Sequence, residues 1–296
     1  MNVPGFVLIR ELGEGGFGRV FQAYAANGRQ VAIKVLKSRA DSIFRRFVHE
    51  AQVMSANASN KHIVSLLDYN LDCEPPYLVM EYCDGGSLRS WVSPSRPWKD
   101  VAAALIHAAN GLYTLHYVGG FHRDVKPDNL LLTNTNFDGP TIKLADFGLA
   151  RIPTGTMPMT HTAAGTEEYM APELMAREPM SPAADIYSLG ITGIELLTGR
   201  RGVSNIKNAA APRRLIDLLT KMTLSDASQR PTAHEVILQL TDIFNNDSLE
   251  QPLPKVSQGN DGLLAGLLIG GALLGGIGIV AALAQDNKAR NVKLKL

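Results

Sequence analysis

Apolar residues change their period part-way along this chain, and that change limits the fold more than any other feature. Between Phe6 and Leu36 they alternate in three short runs, FVLIREL, GRVFQAYAA and RQVAIKVL, the two-residue period of strands with one buried face. Asn27-Gly28 between the last two is a hairpin-turn signal. From Val101 to Tyr117, and again from Ala183 to Leu197, the period becomes that of long helices, with shorter helices expected at Arg214 to Met222 and Ala233 to Ile243. A strand-rich first third followed by a helix-rich remainder predicts an α+β chain of two lobes joined near Glu81 to Gly85. Within the first lobe, Asp41 and Ser42 offer an N-cap to a helix whose apolar residues Ile43, Phe47, Ala51 and Met54 share one face. Two further strands are expected in HIVSLLDYN and YLVMEYC, on either side of the turn-rich CEPP. No internal repeat is visible.

Composition removes several alternatives. With 296 residues, one two-lobed domain uses most of the chain. A net charge of +1 gives no electrostatic reason for nucleic acid as a partner, and none is expected. Cys73 and Cys83 are too few for a disulfide scaffold and lack metal-ligand spacing. The opening MNVPGFVLIREL has no basic segment leading into a long apolar run, so no signal peptide is expected.

Gly13-Glu14-Gly15-Gly16-Phe17-Gly18-Arg19-Val20 fits G-x-G-x-x-G-x-V, in which missing side chains let backbone amides approach phosphate oxygens. A dinucleotide loop would run from strand into helix. Here the glycines lie between two strand-like runs, which makes them the tip of a hairpin flap. Lys34 ends the strand-like Val31-Ala32-Ile33-Lys34 among apolar neighbours, so its ammonium needs a counter-charge. Glu50 lies on the apolar face of the following helix and is the candidate partner; the alternative is a carboxylate flanking that stripe in solvent.

Further on, His122-Arg123-Asp124-Val125-Lys126-Pro127-Asp128-Asn129 precedes a strand-like Ile142-Lys143-Leu144-Ala145, then Asp146-Phe147-Gly148, and later Ala171-Pro172-Glu173. In this order and at these spacings the chain resembles the eukaryotic-like (Hanks-type) protein Ser/Thr kinases over roughly residues 6 to 245. The resemblance implies a bilobal protein kinase fold, with a β-rich N-lobe at 6–80 and a helical C-lobe at 81–245. It implies ATP and Mg2+ as cofactors and protein substrates bearing Ser or Thr, the latter from Lys126-Pro127 and Gly165-Thr166. Asp124 would orient the acceptor hydroxyl, Lys126 would steady the moving phosphate, and Lys34, paired with Glu50, would grip the nearer phosphates. Asn129 and Asp146 would hold Mg2+, an ion that prefers oxygen ligands. Gly13, Gly15, Gly16, Phe17, Gly18 and Val20 would cover the nucleotide. Ala32, Met80, Glu81, Tyr82 and Cys83 would line the adenine pocket, with Met80 controlling the space behind it. Phe147 is expected beneath the Glu50 helix, and Gly148 is expected to permit the turn after the metal ligand. Asp185 would support the catalytic loop, and Arg230 would pair with Glu173. The competing class is a scaffold that binds nucleotide without transferring phosphate.

Arg123, immediately before Asp124, marks in this family enzymes switched by activation-loop phosphorylation. Among Thr154, Thr156, Thr160, Thr162 and Thr166, Thr162 is the expected site, with Arg46, Arg123 and Arg151 as a basic pocket around its phosphate; the alternative is solvated loop residues. After a linker at 246–262, residues 263–284 form 22 consecutive positions without a charged or polar side chain. As a helix they would span about 33 Å, enough to cross a bilayer, so a single-pass membrane anchor in contact with lipid is expected. Gly262, Gly266 and Gly270 recur every fourth position, a face suited to a homodimer in the membrane. The basic tail at 285–296 opposes the positive-inside tendency, because ATP places the kinase domain in the cytoplasm; a re-entrant segment is the alternative.

Overall fold

The computed structural model of the protein describes residues 3–15, 17–92, 96–134, 140–150, 167–176 and 178–248. Strands β1 (Phe6–Glu14), β2 (Gly18–Ala25), β3 (Gln30–Leu36), β4 (Leu66–Asn70) and β5 (Tyr77–Glu81) form an antiparallel sheet in the order β1-β2-β3-β5-β4. The β2–β3 hairpin closes at Asn27-Gly28: Gly28 has φ 80°, and its N–H donates to Ala25 O at 2.9 Å. Helix α1 (Asp41–Ala56) packs on this sheet through Phe47 and Ala51, which meet Leu36 and Leu78 in one apolar cluster.

Two local expectations need correction. The N-cap of α1 is Ala40, which offers no capping side chain, and Asp41 is the first helical residue, where its charge still faces the positive end of the helix. The run HIVSLLDYN becomes a strand only from Leu66. Its first residues form a turn organised by Asn60, whose side chain accepts from His62 N at 2.8 Å. They pair with the other lobe instead: Leu144 N donates to His62 O at 2.8 Å, and Val64 N to Leu144 O at 2.9 Å.

Beyond β5 a small sheet of β6 (Gly86–Ser87), β7 (Leu130–Thr133) and β8 (Thr141–Leu144) lies against the helical lobe. That lobe is built from α2 (Trp98–Tyr117), α3 (Pro172–Met175), α4 (Pro182–Thr198), α5 (Arg213–Met222) and α6 (Ala233–Asn246). Helices α2 and α4 are apolar nearly all round because they form the centre of the core. Gly199, at φ 70°, ends α4 in a left-handed cap, and Thr232 with Glu235 opens α6 in a capping box. A sheet-based lobe and a helical lobe joined after β5 are therefore present. Among the described residues no helix is long and apolar enough to cross a membrane; the run 263–284 and the tail at 285–296 lie outside them.

Candidate active site

Alternation along β3 points Lys34 inward opposite Leu78 of β5, where only 5% of the residue is exposed. Its Nζ donates to both Glu50 oxygens at 2.7 Å and to Asp146 Oδ1 at 3.0 Å. One ammonium thus joins the sheet, α1 and the segment after β8. Burial works against the charge on Lys34, but the two carboxylates outweigh it and raise its pKa. Burial pushes Glu50 up to about 6 despite Lys34, whereas the lysine holds Asp146 below its ordinary value against the effect of burial. The Asp146 side chain remains 39% exposed, facing the cleft, while Glu50 is sealed.

The segment 122–129 is held by α4. Asp185 accepts from His122 N and Arg123 N, each at 2.8 Å, and lies 2.9 Å from His116 Nε2. Both oxygens of a buried carboxylate thereby fix two successive amides, which stabilises Arg123 at φ 72°. Asp124 comes next. Lys126 Nζ reaches its oxygens at 3.0 and 2.8 Å, and Asn129 Nδ2 donates to its Oδ2 at 2.9 Å and its backbone O at 2.7 Å. Ala145 N donates to Asn129 O at 2.9 Å, and His122 Nε2 lies 3.1 Å from Ala145 O, so the two catalytic-type segments are bonded together. Phe147 is fully buried edge-on to His122, with ring centroids 5.0 Å apart, in the same core cluster as Val53 and Met54 of α1.

Above this floor the flap folds inward. A Cβ on Gly18 would stand 2.6 Å from Val35 O, and one on Gly148 would stand 2.8 Å from the Phe17 ring. Gly148 therefore supplies room for the flap tip and, as expected, sits in the turn after Asp146, which Ala150 N closes on Phe147 O at 2.9 Å; Asp146 itself is left-handed, at φ 62°. Ala32 and Met80 are register partners, and with Cys83, Leu132 and partly buried Val20 they form an apolar slot at the lobe junction. Burial pushes the Cys83 thiol up to about 12, so it lines the slot as a neutral group.

The Glu81 side chain turns away, accepting from Ser65 N at 2.6 Å and Lys143 Nζ at 2.8 Å, and its backbone N–H donates to Ser65 O at 3.0 Å, so Glu81 has only its backbone carbonyl to offer a ligand. Arg46 stacks on the Phe17 ring at 5.1 Å. Gly16, Arg151 and Thr162 lie outside the described residues. Sequence reading missed Leu132, which meets Gly85 so closely that a Cβ there would be 2.5 Å away. It also missed Lys143, although a lysine on an apolar strand demands a counter-charge just as Lys34 does. The expected Arg230–Glu173 pair is present, bidentate at 2.7 Å and buried; burial would raise Glu173, but the arginine brings it below its ordinary value.

The residues also meet the chemical demands of Mg2+. Asp146 offers a lowered, cleft-facing carboxylate, and Asn129, whose amide nitrogen donates to Asp124, has its side-chain oxygen as the acceptor that a cation could use. Mg2+ takes one or two protein oxygens and completes its shell with phosphate and water, a demand that one carboxylate and one amide oxygen can meet.

Comparison with known proteins agrees with this geometry. A family model described as "Protein kinase domain" matches residues 6–240. The chain is similar to serine/threonine-protein kinase Pkn1 of Myxococcus xanthus, 37% identical over 201 residues, covering 66% of this chain and 29% of that protein. It is also similar to serine/threonine-protein kinases drp72 of Corynebacterium efficiens, 34% identical over 224 residues (70% and 42%). The proline-rich receptor-like protein kinase PERK8 of Arabidopsis thaliana is 36% identical over 202 residues (65% and 29%). The chain spans less than half the length of these curated relatives.

Proposed function

The chain belongs to the protein kinase family, and on that footing we propose that it transfers the terminal phosphate of ATP to serine or threonine hydroxyls of protein substrates. The observation that carries the reading is the Lys34 ammonium shared between Glu50 and Asp146, with Asp124 held by Lys126 and Asn129 across the same cleft. Phosphoryl transfer needs positioning and charge neutralisation rather than covalent participation by the protein. Lys34 binds the inner phosphates, and Glu50 fixes where its ammonium points. Asp124 accepts the hydrogen bond of the acceptor hydroxyl and orients its oxygen, while Lys126 balances the charge that builds on the moving phosphate. Asp146 and Asn129 hold Mg2+, which supplies neutralisation of the phosphate oxygens. Lys126-Pro127 beside the base favours Ser/Thr acceptors.

Incubation of the purified protein with Mg-ATP and a generic protein substrate tests this reading. Incorporation of phosphate on Ser and Thr is expected, reduced about 10²- to 10⁴-fold in Asp124→Asn. Equal incorporation in both would leave a nucleotide-binding scaffold.

Two further parts of the proposal lie outside the described residues. Residues 263–284 anchor the kinase domain to a membrane, with the domain on the cytoplasmic side; recovery of the protein in a soluble fraction without detergent would refute this. The glycines at 262, 266 and 270 favour self-association of that anchor. Thr162 is the autophosphorylation site, and full activity of Thr162→Ala would exclude it.

A further inference from the structure

The phosphate chemistry leaves one cluster of charge beside the cleft unused. Asp128 precedes Asn129, whose amide holds Asp124, so its carboxylate, 44% exposed, lies close to that base. Glu195 rises from α4 behind it with 3% exposure. Arg89, from the short 3-10 turn Leu88–Trp91, enters between them. Its Nε lies 3.2 and 3.1 Å from the two Asp128 oxygens, and its Nη2 donates to Asp128 Oδ2 at 2.6 Å and to Tyr169 Oη at 2.7 Å. Its Nη1 donates to Glu195 Oε1 at 2.7 Å. Arg201 Nε adds a contact to Glu195 at 3.1 Å, and the Tyr169 hydroxyl donates to Glu195 Oε2.

Two carboxylates and a phenol oxygen therefore converge on one guanidinium, in the planar fork geometry that selects arginine over lysine. Were Arg89 absent, the same notch would offer an arginine side chain of a passing peptide a nearly complete set of acceptors. Because Arg89 fills it, both acids are already neutralised. Burial would raise Asp128, but hydrogen bonds from Arg89 hold it below its ordinary value.

We propose that Arg89 determines substrate charge preference: it acts as a built-in ligand for an acidic notch next to the acceptor site, so that basic residues flanking the acceptor hydroxyl are not selected. This inference rests on the protein-kinase reading. A purely bracing role for Arg89 would instead slow transfer to every peptide alike.

The test uses the full chain and a neutral Ser/Thr peptide, compared with versions carrying one arginine at each flanking position. Fluorescence anisotropy reads peptide binding without requiring transfer, and kcat and KM are measured alongside. The native protein is expected to discriminate by less than about threefold. Arg89→Leu should favour at least one arginine peptide by about tenfold, chiefly in Kd and KM, as one charge-assisted bond allows. Arg89→Lys should stay near the native preference, and Asp128→Asn added to Arg89→Leu should abolish the gain. If Arg89→Leu does not fold, Asp128→Asn alone decides, since it leaves a surplus positive charge that should disfavour arginine peptides severalfold. A native preference for arginine peptides, or unchanged discrimination in the folded variants, would overturn the proposal. Absence of transfer by the native protein to any peptide sinks the kinase reading, while anisotropy still decides the role of Arg89.

Discussion

At the scale of single residues, Lys34 is the most consequential side chain because two carboxylates depend on it. Lys34→Met should remove transfer and also destabilise the fold by about 3–5 kcal/mol at neutral pH, the usual result of stranding a buried charge. The loss should shrink towards pH 5. Glu50 already sits at about 6 with the lysine present, and without it the carboxyl protonates more readily, which removes the uncompensated charge. Urea midpoints of native and variant protein at pH 7.5 and 5 check this; a gap that does not narrow on acidification argues against it. Gly148→Ala makes a different demand, for its Cβ would collide with the Phe17 ring at 2.8 Å. The flap tip must lift, so KM for ATP should rise severalfold, and Phe17→Ala in the same chain should bring no further rise. The Lys34–Glu50 pair was legible from sequence because helical spacing puts an acid on an apolar stripe. The left-handed backbone at Asp146 was not, since it is imposed by the segments around it rather than marked by a glycine at that position.

At the scale of elements, both lobes and the long helices follow from the two periods of the apolar residues, but short pieces escaped. Strand β7 is a four-residue, Leu-rich run too short to show a period of its own, although Pro127-Asp128-Asn129 and Asp138-Gly139-Pro140 bound it, and its partner β6 has only two residues. The first half of HIVSLLDYN looked like strand because its residues are apolar and β-branched; they are buried against β8 of the other lobe rather than paired within the sheet. This junction is tight at Gly111 on α2, where an added Cβ would lie 2.9 Å from the backbone oxygen of His62 and 3.3 Å from Leu144 Cβ. Alanine would gain about 1 kcal/mol of helix propensity. Forcing α2 away from a backbone atom should cost about 1–3 kcal/mol. Gly111→Ala is thus expected to lose up to about 2 kcal/mol net and, because Leu144 leads directly into Asp146, to weaken ATP binding. Equal urea midpoints with unchanged KM would show that α2 tolerates the shift.

At the scale of the whole molecule, the lobes are joined by the chain after β5 and also by the turn at residues 60–64, which is bolted to β8. Two imidazoles stack at that second joint. His62 and His107 have ring centroids 4.3 Å apart, both are buried, and both bond the backbone of Ile142: His62 Nδ1 lies 3.3 Å from its O, and its N donates to His107 Nδ1 at 3.1 Å. Burial, with Lys61 and Lys143 nearby, lowers His62 to about 3, and burial with His62 and Lys61 lowers His107 well below its ordinary value. In the unfolded chain each takes up a proton near pH 6.5, whereas the folded protein resists it. Below that pH the unfolded state therefore binds more protons, and stability must fall as pH drops from about 6.5 towards 3. At pH 5 each imidazole forfeits up to about 2 kcal/mol. His107→Gln keeps an acceptor for Ile142 N but cannot titrate. Buried His122, lowered by burial, retains its own contribution of the same sign. The urea midpoint of the variant should thus decline less between pH 7.5 and 5 than that of the native protein, by roughly one imidazole's share. Parallel declines would mean that the stacked pair opens to water before the lobes come apart, and that the joint is not where acid first acts.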